Sequence, residues 1–269
     1  MLQDYTVEEL FFEDLPLNIP IKATKDETIL NIIPKLSETL DSFSDDAVVE
    51  EEGVPIGFIG GYEVLKAIRD NPTFEFIKNT TIEDFYNKKL TKVNNSTSLS
   101  ELIRKYKENE RAFSVIVNES NQGDFLVLSA KNAINAGTKI ESDSTLKDMT
   151  KKEIISFSDN DSLKDIIEKM FSNKIRRLNL SQTNKFISDR TILTNIMENN
   201  YLENIDNYLE GSSKDVQKME VEDVPENTKI TTVCKVMHQT SFPCITSNSN
   251  IITPWDILNH LLKIKVAIE

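Results

Sequence analysis

The sequence predicts an α/β (α+β) fold in which one β-α-β-β-α unit is repeated four times along 269 residues. This prediction depends on three sequence signals that recur in the same order. The clearest signal, called the helix-start segment below, has two apolar residues, a small or hydroxyl residue, two variable positions, a polar residue and two further apolar residues. Its four copies are residues 58–65, 127–134, 186–193 and 251–258.

Two further signals precede each helix-start segment. A short apolar-polar-polar-apolar segment lies upstream of it, at residues 7–10, 82–85, 146–149 and 216–219. Between the two, an apolar residue is followed six positions later by the apolar first residue of a predicted helix. These pairs are Ala23 and Ile29, Val93 and Leu99, Phe157 and Leu163, and Val224 and Ile230. Because three signals keep one order four times, chance is a poor explanation of the repeat.

The residues between these signals predict the strands and helices of a unit. A first strand, such as residues 154–157, precedes an amphipathic helix whose apolar residues recur at helical spacing, as in residues 163–170. The second strands are predicted at residues 47–49, 113–117, 175–180 and 242–246. Turns rich in Gly, Asn or Ser then close hairpins, at residues 52–53, 121–123, 182–184 and 248–250. The third strand runs into the helix-start segment, where the second helix begins.

A single unit of this length is marginally stable, because a small domain buries too little of its surface. Pairing two units joins their apolar faces, so four units predict two pairs. The polar stretch at residues 136–144 marks the seam between the pairs, and residues 210–214 separate units three and four. We place the four units at residues 1–72, 73–137, 138–200 and 201–269.

The composition indicates a globular protein, with 39% hydrophobic and 28% charged residues. Its net charge of −13 disfavours a nucleic-acid partner, which needs a basic surface. No apolar run approaches the roughly 18–20 residues of a membrane span. The acidic residues 1–14 do not resemble a signal peptide, so we expect a cytoplasmic protein without a membrane partner.

Cysteine and histidine spacing predicts no metal site. Cys234 and Cys244 fit neither a disulfide framework nor a zinc site, so we expect reduced, packed thiols. His238 and His260 lie in helix-like contexts without a nearby ligand partner, and we expect structural or surface roles for both.

The fourth helix-start segment carries Thr253, Pro254 and Asp256, which suit the first turn of a helix. Threonine can cap free backbone N–H groups, proline needs no N–H at this position, and aspartate can bond back to the cap. The same groups also suit a nucleoside phosphate, because a helix N-terminus favours anions and a carboxylate can accept the two ribose hydroxyl groups. Capping and ligand binding therefore both remain open at each copy.

The ordered repeat resembles the cystathionine-β-synthase (CBS) domain family. The shared features are β-α-β-β-α units in even number and an apolar-apolar-[Ser/Thr]-x-x-Asp pattern at the start of the last helix. The resemblance implies that consecutive units pair into Bateman modules and that two modules pack as a disc, similar in plan to the gamma subunit of AMP-activated protein kinase. It also implies an adenosyl ligand, such as AMP, ADP, ATP or S-adenosylmethionine, in a cleft between paired units.

The resemblance further implies roles for polar residues at each helix start. In unit four, Asp256 would hold the ribose, Thr253 would contact a phosphate, and the backbone near Val224 would form the adenine edge. Unit four keeps the full set, whereas unit one has Gly60 and Glu63. Units two and three keep part of the set, in Ser129 and Asn132 and in Ser188 and Thr191.

A phosphate also needs cations, and Arg176, Arg177 and Arg190 lie in unit three, which we expect to face unit four. Arginine suits a buried phosphate because its planar guanidinium binds in a bidentate manner. Strand alternation would instead turn Arg176 or Arg177 towards solvent. Trp255 either stacks on a ligand or covers an interface between units.

The leading hypothesis is a regulatory protein that senses an adenine nucleotide or related adenosyl ligand, mainly in its second module. An unidentified effector protein would read the resulting change, and the disc would be a monomeric pseudo-dimer or a homodimer. The alternative is a ligand-free interaction scaffold, which the incomplete helix starts of units one to three favour. We do not expect an enzyme, because the sequence has no nucleophile–base pair, metal cluster or Gly-rich phosphate loop.

Overall fold

The computed structural model describes residues 4–11, 19–37, 46–117, 125–149, 155–240, 243–248 and 250–263. A short helix, α1 (Val7–Phe11), comes first. Unit one then contains β1 (Ile21–Thr24), α2 (Ile29–Ser37), β2 (Asp46–Glu51), β3 (Val54–Gly60) and α3 (Gly61–Asp70). Within these ranges, no helix has the length and apolar character needed to cross a membrane.

The other three units repeat this order of elements. After α4 (Phe74–Asn79), unit two contains β4 (Thr91–Val93), α5 (Leu99–Glu108), β5 (Phe113–Val117), β6 (Phe125–Ser129) and α6 (Asn132–Thr138). Unit three contains β7 (Ser156–Phe157), α7 (Leu163–Ser172), β8 (Arg177–Leu180), β9 (Lys185–Ser188) and α8 (Asp189–Glu198). After α9 (Ile205–Glu210) and β10 (Met219–Glu220), unit four contains β11 (Glu222–Asp223), α10 (Ile230–His238), β12 (Ile245–Ser247), β13 (Asn250–Ile252) and α11 (Pro254–Leu261).

Each unit has a small sheet with one pairing scheme. The first strand is parallel to the second, and the second is antiparallel to the third, so that in unit one Ala47 pairs with both Ile21 and Ile59. A parallel pair needs a crossover connection, and the first helix of each unit supplies it. β10 extends the sheet of unit three, antiparallel to β9. The predicted fold class is therefore confirmed.

Some sequence predictions differ from the structure or fall outside the described residues. β8 begins at Arg177, later than the predicted start at residue 175. The predicted strands 154–157 and 242–246 are described only in part, and the predicted turn at residues 121–123 lies outside the described residues, as does one residue of the turn at 248–250.

The upstream segments contact the partner unit rather than their own. Each forms an isolated bridge to the residue just before the first helix of the neighbouring unit in its pair. This exchange ties unit one to unit two and unit three to unit four. The four bridges join Thr6 to Ser98, Thr81 to Thr28, Thr145 to Lys229, and Ser212 to Ser162.

The fourth upstream segment lies earlier in the chain than predicted. Its structural equivalent is the short helical turn Ser213–Asp215, which follows the bridge at Ser212, and not residues 216–219. The prediction was wrong because it required an apolar first residue. Ser213 is fully buried at that place, and its Oγ lies 3.3 Å from the carbonyl oxygens of Ser158 and Asp159.

Within each pair of consecutive units, the two sheets pack face to face. In the first pair, called module 1 below, the ring centroids of Phe58 and Phe113 lie 5.7 Å apart. In the second pair, module 2, Phe186, Val221 and Cys244 form the corresponding cluster. The remaining buried residues of the module 1 cluster are Val48, Val115, Phe125 and Val127.

Helices join the two modules. In one core, α2 and α3 of unit one pack against α8 of unit three; in the other, α6 of unit two packs against α10 and α11 of unit four. At the α6–α10 crossing, a Cβ on Gly137 would lie 2.3 Å from the Sγ of Cys234, so glycine permits the close approach. Gly137, which the sequence placed in the seam between pairs, thus lies inside a packed helix. Cys234 and Cys244 are buried, free thiols, as the sequence predicts.

His260 of α11 links unit four to the connection between the modules. Its Nε2 lies 2.7 Å from the Oγ of Ser144, and its Nδ1 is buried without a hydrogen-bond partner among the described residues. Burial lowers the pKa of His260 below its ordinary value; the Lys263 charge adds to this effect and Asp148 opposes it. The folded chain therefore binds a proton at His260 less readily than the unfolded chain.

We expect this lowered pKa to reduce stability as the pH falls below about 6.5, because the unfolded state takes up the proton first. Urea denaturation between about pH 7.5 and about pH 5.5 should show a larger loss for the wild type than for a His260→Gln variant. The control is His238→Gln, at the exposed end of α10, which should follow the wild type. Equal pH dependence of the wild type and the His260→Gln variant would contradict this role.

Candidate functional site

The four helix starts share one hydrogen-bonding arrangement. In each helix-start segment, the side chain of the polar residue accepts a hydrogen bond from the backbone N–H of the small or hydroxyl residue three positions earlier. This satisfies a donor that the helix itself leaves free. The donor–acceptor distances are 3.0 Å for Gly60 to Glu63, 2.8 Å for Ser129 to Asn132, 2.8 Å for Ser188 to Thr191, and 2.9 Å for Thr253 to Asp256. A capping box is thus present in units one, three and four, whereas in unit two α6 begins at Asn132 itself and has no side-chain cap. Ligand binding by the same residues stays a prediction.

The fourth helix start is held against the strands of its own unit. The hydroxyl of Thr253 donates to Oδ2 of Asp256 at 2.6 Å, and Asp256 is 9% exposed. The N–H of Val224 donates to the carbonyl of Thr246 at 2.8 Å, which fixes the backbone at the predicted adenine edge. Because Ile245 pairs with Ile252 in the hairpin, the preceding Cys244 lies beside Thr253 at the same end.

The three predicted phosphate-binding arginines do not lie together. Nε and Nη2 of Arg190 donate to the carbonyl of Leu36, at 3.2 and 2.8 Å, and so bind the C-terminal end of α2 in module 1. Nε of Arg176 donates to Oδ2 of Asp189 at 2.6 Å, and its Nη1 lies 3.4 Å from Oδ1 of Asp46. Arg176 therefore contacts module 1 instead of pointing into solvent, and Arg190 faces unit one rather than unit four.

Arg177 is the member of this set whose charge acts on unit four. It pairs with Ser188 across the hairpin of unit three, and its Nε is buried without a hydrogen-bond partner among the described residues. Burial raises the pKa of the Cys244 thiol to about 11, and the opposing influence comes from the charge of Arg177. Arg177 thus lies beside the helix start at Ser188, and its charge acts on Cys244 of unit four.

In three units, the residue that directly precedes the polar residue of the helix-start segment contacts the other module. The ring of Tyr62 packs edge-on against Phe171 at 4.7 Å, and the ring centroid of Trp255 lies 6.4 Å from that of Tyr106. Arg190 occupies the same position in unit three. Trp255 therefore covers the module interface, which was one of the two alternatives open from the sequence, and Arg190 shares this interface role.

An ionic cluster occupies the helix start of unit one. Nε of Arg111 donates to Oδ2 of Asp46 at 2.9 Å, and Nη2 of Arg111 contacts Oδ1 of Asp46. The same Nη2 lies 3.5 Å from Oε2 of Glu63. Burial raises the pKa of Glu63; the Arg111 charge opposes this, and the Asp46 charge adds to it. Together with Arg176 and Asp189, these residues join units one, two and three.

Sequence reasoning missed Asp46, Arg111 and Asp189, because none belongs to the polar positions of the repeat. One signal was available. Asp46 and Arg177 each begin the second strand of their unit, so aligning the repeats by strand exposes the charge difference at this place. Among the residues that the structure describes, no group of three or more His, Cys, Asp or Glu residues could hold a metal ion.

No family model and no curated protein matches this chain. A Methanocaldococcus jannaschii structure, described as a proposed archaeal homologue of g-AMPK, is 17% identical with a TM-score of 0.76. An uncharacterised conserved protein from Pyrococcus horikoshii is 13% identical with a TM-score of 0.54, and both comparisons cover 90% of this chain and 96% of the other. A CBS-domain containing protein from Agrobacterium tumefaciens is 12% identical, covers 50% of this chain and 94% of its own, and has a TM-score of 0.42.

The comparison with the Methanocaldococcus jannaschii structure supports the fold that the geometry above shows. The chain has the four-unit fold expected from the resemblance to CBS-domain proteins, and it shares that fold over 90% of its length with the Methanocaldococcus jannaschii protein. The predicted arrangement of two modules is confirmed with it.

Proposed function

We propose that this protein is a regulatory sensor that binds an adenine nucleotide or related adenosyl ligand in module 2. The observation that carries the proposal is the position of Arg177, whose buried Nε has no hydrogen-bond partner among the described residues. A buried guanidinium nitrogen without a partner is costly, and an anionic ligand would satisfy it. Arg177 pairs with Ser188 and its charge influences Cys244 of unit four, and the N-terminal end of α11 at Thr253 carries a partial positive charge that favours a phosphate.

In this proposal, unit four supplies the main binding groups. The hydroxyl of Thr253 and the N-terminus of α11 meet a phosphate, the carboxylate of Asp256 meets the ribose hydroxyl groups, and the backbone near Val224 meets the adenine. Arg177 neutralises charge on the phosphate. The helix starts with Ser188 and Thr191 and with Ser129 and Asn132 are weaker candidates, because neither has a carboxylate for the ribose, and we do not expect either to bind a ligand of its own.

The placement of Arg176 and Arg190 suggests how a bound ligand would be sensed. Arg176 is next to Arg177 in the chain; it forms one ion pair with Asp46 across the module interface and another with Asp189 of its own unit. Movement of Arg177 onto a ligand would therefore shift the neighbouring Arg176 and so change how the two modules pack. A ligand shifts such an equilibrium only by its differential affinity for the two arrangements. We propose that an effector protein reads this change in the cytoplasm, and that the protein itself is not an enzyme.

A second candidate function is a ligand-free interaction scaffold, formed by a monomeric disc or a homodimer. The observation in its favour is that, at all four helix starts, the polar side chain already accepts a hydrogen bond from a backbone N–H of its own segment. Under this alternative, Thr253 and Asp256 have only a structural role, and no adenosyl ligand binds.

Thermal melting with AMP, ADP, ATP or S-adenosylmethionine distinguishes the two functions. A ligand present at 100 times its Kd stabilises the chain by about 2.7 kcal/mol, which is a rise in Tm of about 5–10 °C. The sensor predicts this rise with at least one ligand and its loss in the Thr253→Ala/Asp256→Ala variant. The absence of any shift would favour the scaffold.

The matched control is a Thr145→Ala/Asp148→Ala variant. This pair has the same residue types and the same cap, with the N–H of Thr145 donating to Asp148 Oδ2 at 2.8 Å, but it lies on an exposed turn. Its ligand-induced shift should equal that of the wild type. A shift that survives the Thr253→Ala/Asp256→Ala change would refute the assigned site.

A further inference from the structure

We propose that Asp46 is a built-in anion of module 1: its carboxylate occupies the place where a ligand phosphate would lie, and this confines phosphate binding to module 2. The inference rests on the proposed function, because confinement to module 2 matters only if module 2 binds a ligand with a phosphate. The occupation of the place by a carboxylate can be tested without any adenosyl ligand.

The first observation is a charge reversal between equivalent positions. Asp46 and Arg177 each begin the central strand of the first unit in their module, and each pairs with the third residue of a helix-start segment, Gly60 and Ser188 respectively. The position that carries a guanidinium in module 2 thus carries a carboxylate in module 1. A phosphate would be attracted to this position in module 2 and repelled in module 1.

The second observation is that Asp46 is bound as a phosphate would be. Arg111 of unit two contacts both carboxylate oxygens of Asp46, and Nη1 of Arg176 of unit three lies 3.4 Å from Oδ1. Bidentate binding by arginine is a common mode of phosphate recognition, and a carboxylate offers the same two-oxygen edge. The side chain of Asp46 is 1% exposed, so these cations are already neutralised inside the protein.

The third observation is the glycine in the helix start of unit one. Gly60 has φ −128° and ψ −175°, an extended conformation that any residue can adopt, so its backbone does not require glycine. Space does require it. A Cβ on Gly60 would lie 1.9 Å from Oδ1 of Asp46 and 2.6 Å from Nη2 of Arg111. Unit one therefore lacks the hydroxyl of the other units because the carboxylate fills its place.

The fourth observation is the balance of charges in the cluster. The cluster contains the carboxylates of Asp46, Glu63 and Asp189 and the guanidinium groups of Arg111 and Arg176. The carboxylates of Asp46 and Asp189 already match the charges of Arg111 and Arg176, so a further anion would be buried without a cation of its own, which is unfavourable. Module 1 is thus held in one arrangement by its own anion, and a change in ligand concentration acts on module 2.

Removing the built-in anion should create an anion site. The test uses the full chain with Thr253→Ala/Asp256→Ala as the parent. Any change of Tm with phosphate then comes from module 1 and not from the proposed site in module 2. Adding Asp46→Ala should lower the Tm by about 6–20 °C, because Arg111 and Arg176 lose their partner. Inorganic phosphate should then raise the Tm by at least about 5 °C more than sodium chloride of equal ionic strength does.

The control adds Arg111→Met to the Asp46→Ala chain, which removes the bidentate group and should abolish the phosphate response. An Asp46→Ala chain that responds to phosphate no more than its parent, or that does not fold even with phosphate present, overturns the inference. Failure of the wild type to bind any adenosyl ligand would refute the proposed function and leave this result intact, so the two failures are distinguishable.

A second pair of variants tests the place of the carboxylate without any anion. Gly60→Ser alone should lower the Tm because its Cβ collides with Asp46. The same change in the Asp46→Ala chain should cost much less, because the remaining close contact is with Nη2 of Arg111, the far end of a flexible side chain. The two effects should be strongly non-additive, as expected for residues in direct contact. Additive effects would show that Asp46 does not fill the hydroxyl position, and would overturn the inference.

Discussion

Replacing Arg111 with alanine is expected to lower the free energy of unfolding by about 3–5 kcal/mol. The side chain of Arg111 is 13% exposed, and it is the bidentate partner of Asp46 in the central cluster. Without this guanidinium, Asp46 and Glu63 would remain buried with less positive charge beside them. The loss can be measured as a shift in the midpoint of guanidinium chloride denaturation.

The matched control for this prediction is Arg104→Ala. Arg104 pairs with Glu108 at 2.6 Å, but both side chains are more than half exposed on α5. Such a pair contributes about 0.3–0.5 kcal/mol, so the variant should unfold close to the wild-type midpoint. Similar losses in the two variants would contradict the view that Arg111 compensates buried charge at the centre of the molecule.

Replacing Phe58 with alanine is also expected to cost about 3–5 kcal/mol. The Phe58 ring is 1% exposed and packs against Phe113 of unit two, so the change removes the contact by which the two sheets of module 1 meet. The cavity would lie between two sheets, where neighbouring strands are held by their hydrogen bonds and can collapse only in part. Equilibrium denaturation measures the effect.

Val54→Ala is the control on the same strand. Val54 lies in β3 with Phe58 but is 52% exposed, so its replacement should change the free energy of unfolding by less than about 0.5 kcal/mol. If Phe58→Ala is as mild as Val54→Ala, the two sheets do not depend on each other for stability, and the description of module 1 as one packed pair is wrong.

The order of elements was predictable because it depends on local patterns. Apolar residues at helical spacing, such as Leu163 and Ile166, marked the buried face of α7, and both are fully buried. The recurring hydroxyl and acid at Thr253 and Asp256 marked the cap of α11. The fourth upstream segment was placed wrongly because Ser213 stands where the other copies have an apolar residue. Its buried hydroxyl is hydrogen-bonded to backbone carbonyl groups.

The partners of charged residues were not predictable in the same way. Arg176 and Arg190 were expected to face unit four, but their partners Asp46 and Leu36 lie in unit one. No local pattern specifies which helices meet across the modules, because a repeated unit offers the same apolar face at each copy. The central cluster depends on that long-range packing, and it was visible only once the units were placed in space.

The most direct test of the account is the stoichiometry of ligand binding by titration calorimetry, with AMP, ADP, ATP and S-adenosylmethionine in turn. We expect that at least one of them saturates at a single molecule per chain, and that the Thr253→Ala/Asp256→Ala variant releases no binding heat. Module 1 remains empty because Asp46 fills its anion position. Binding of two or more molecules per chain, or of none by the wild type, would contradict the account.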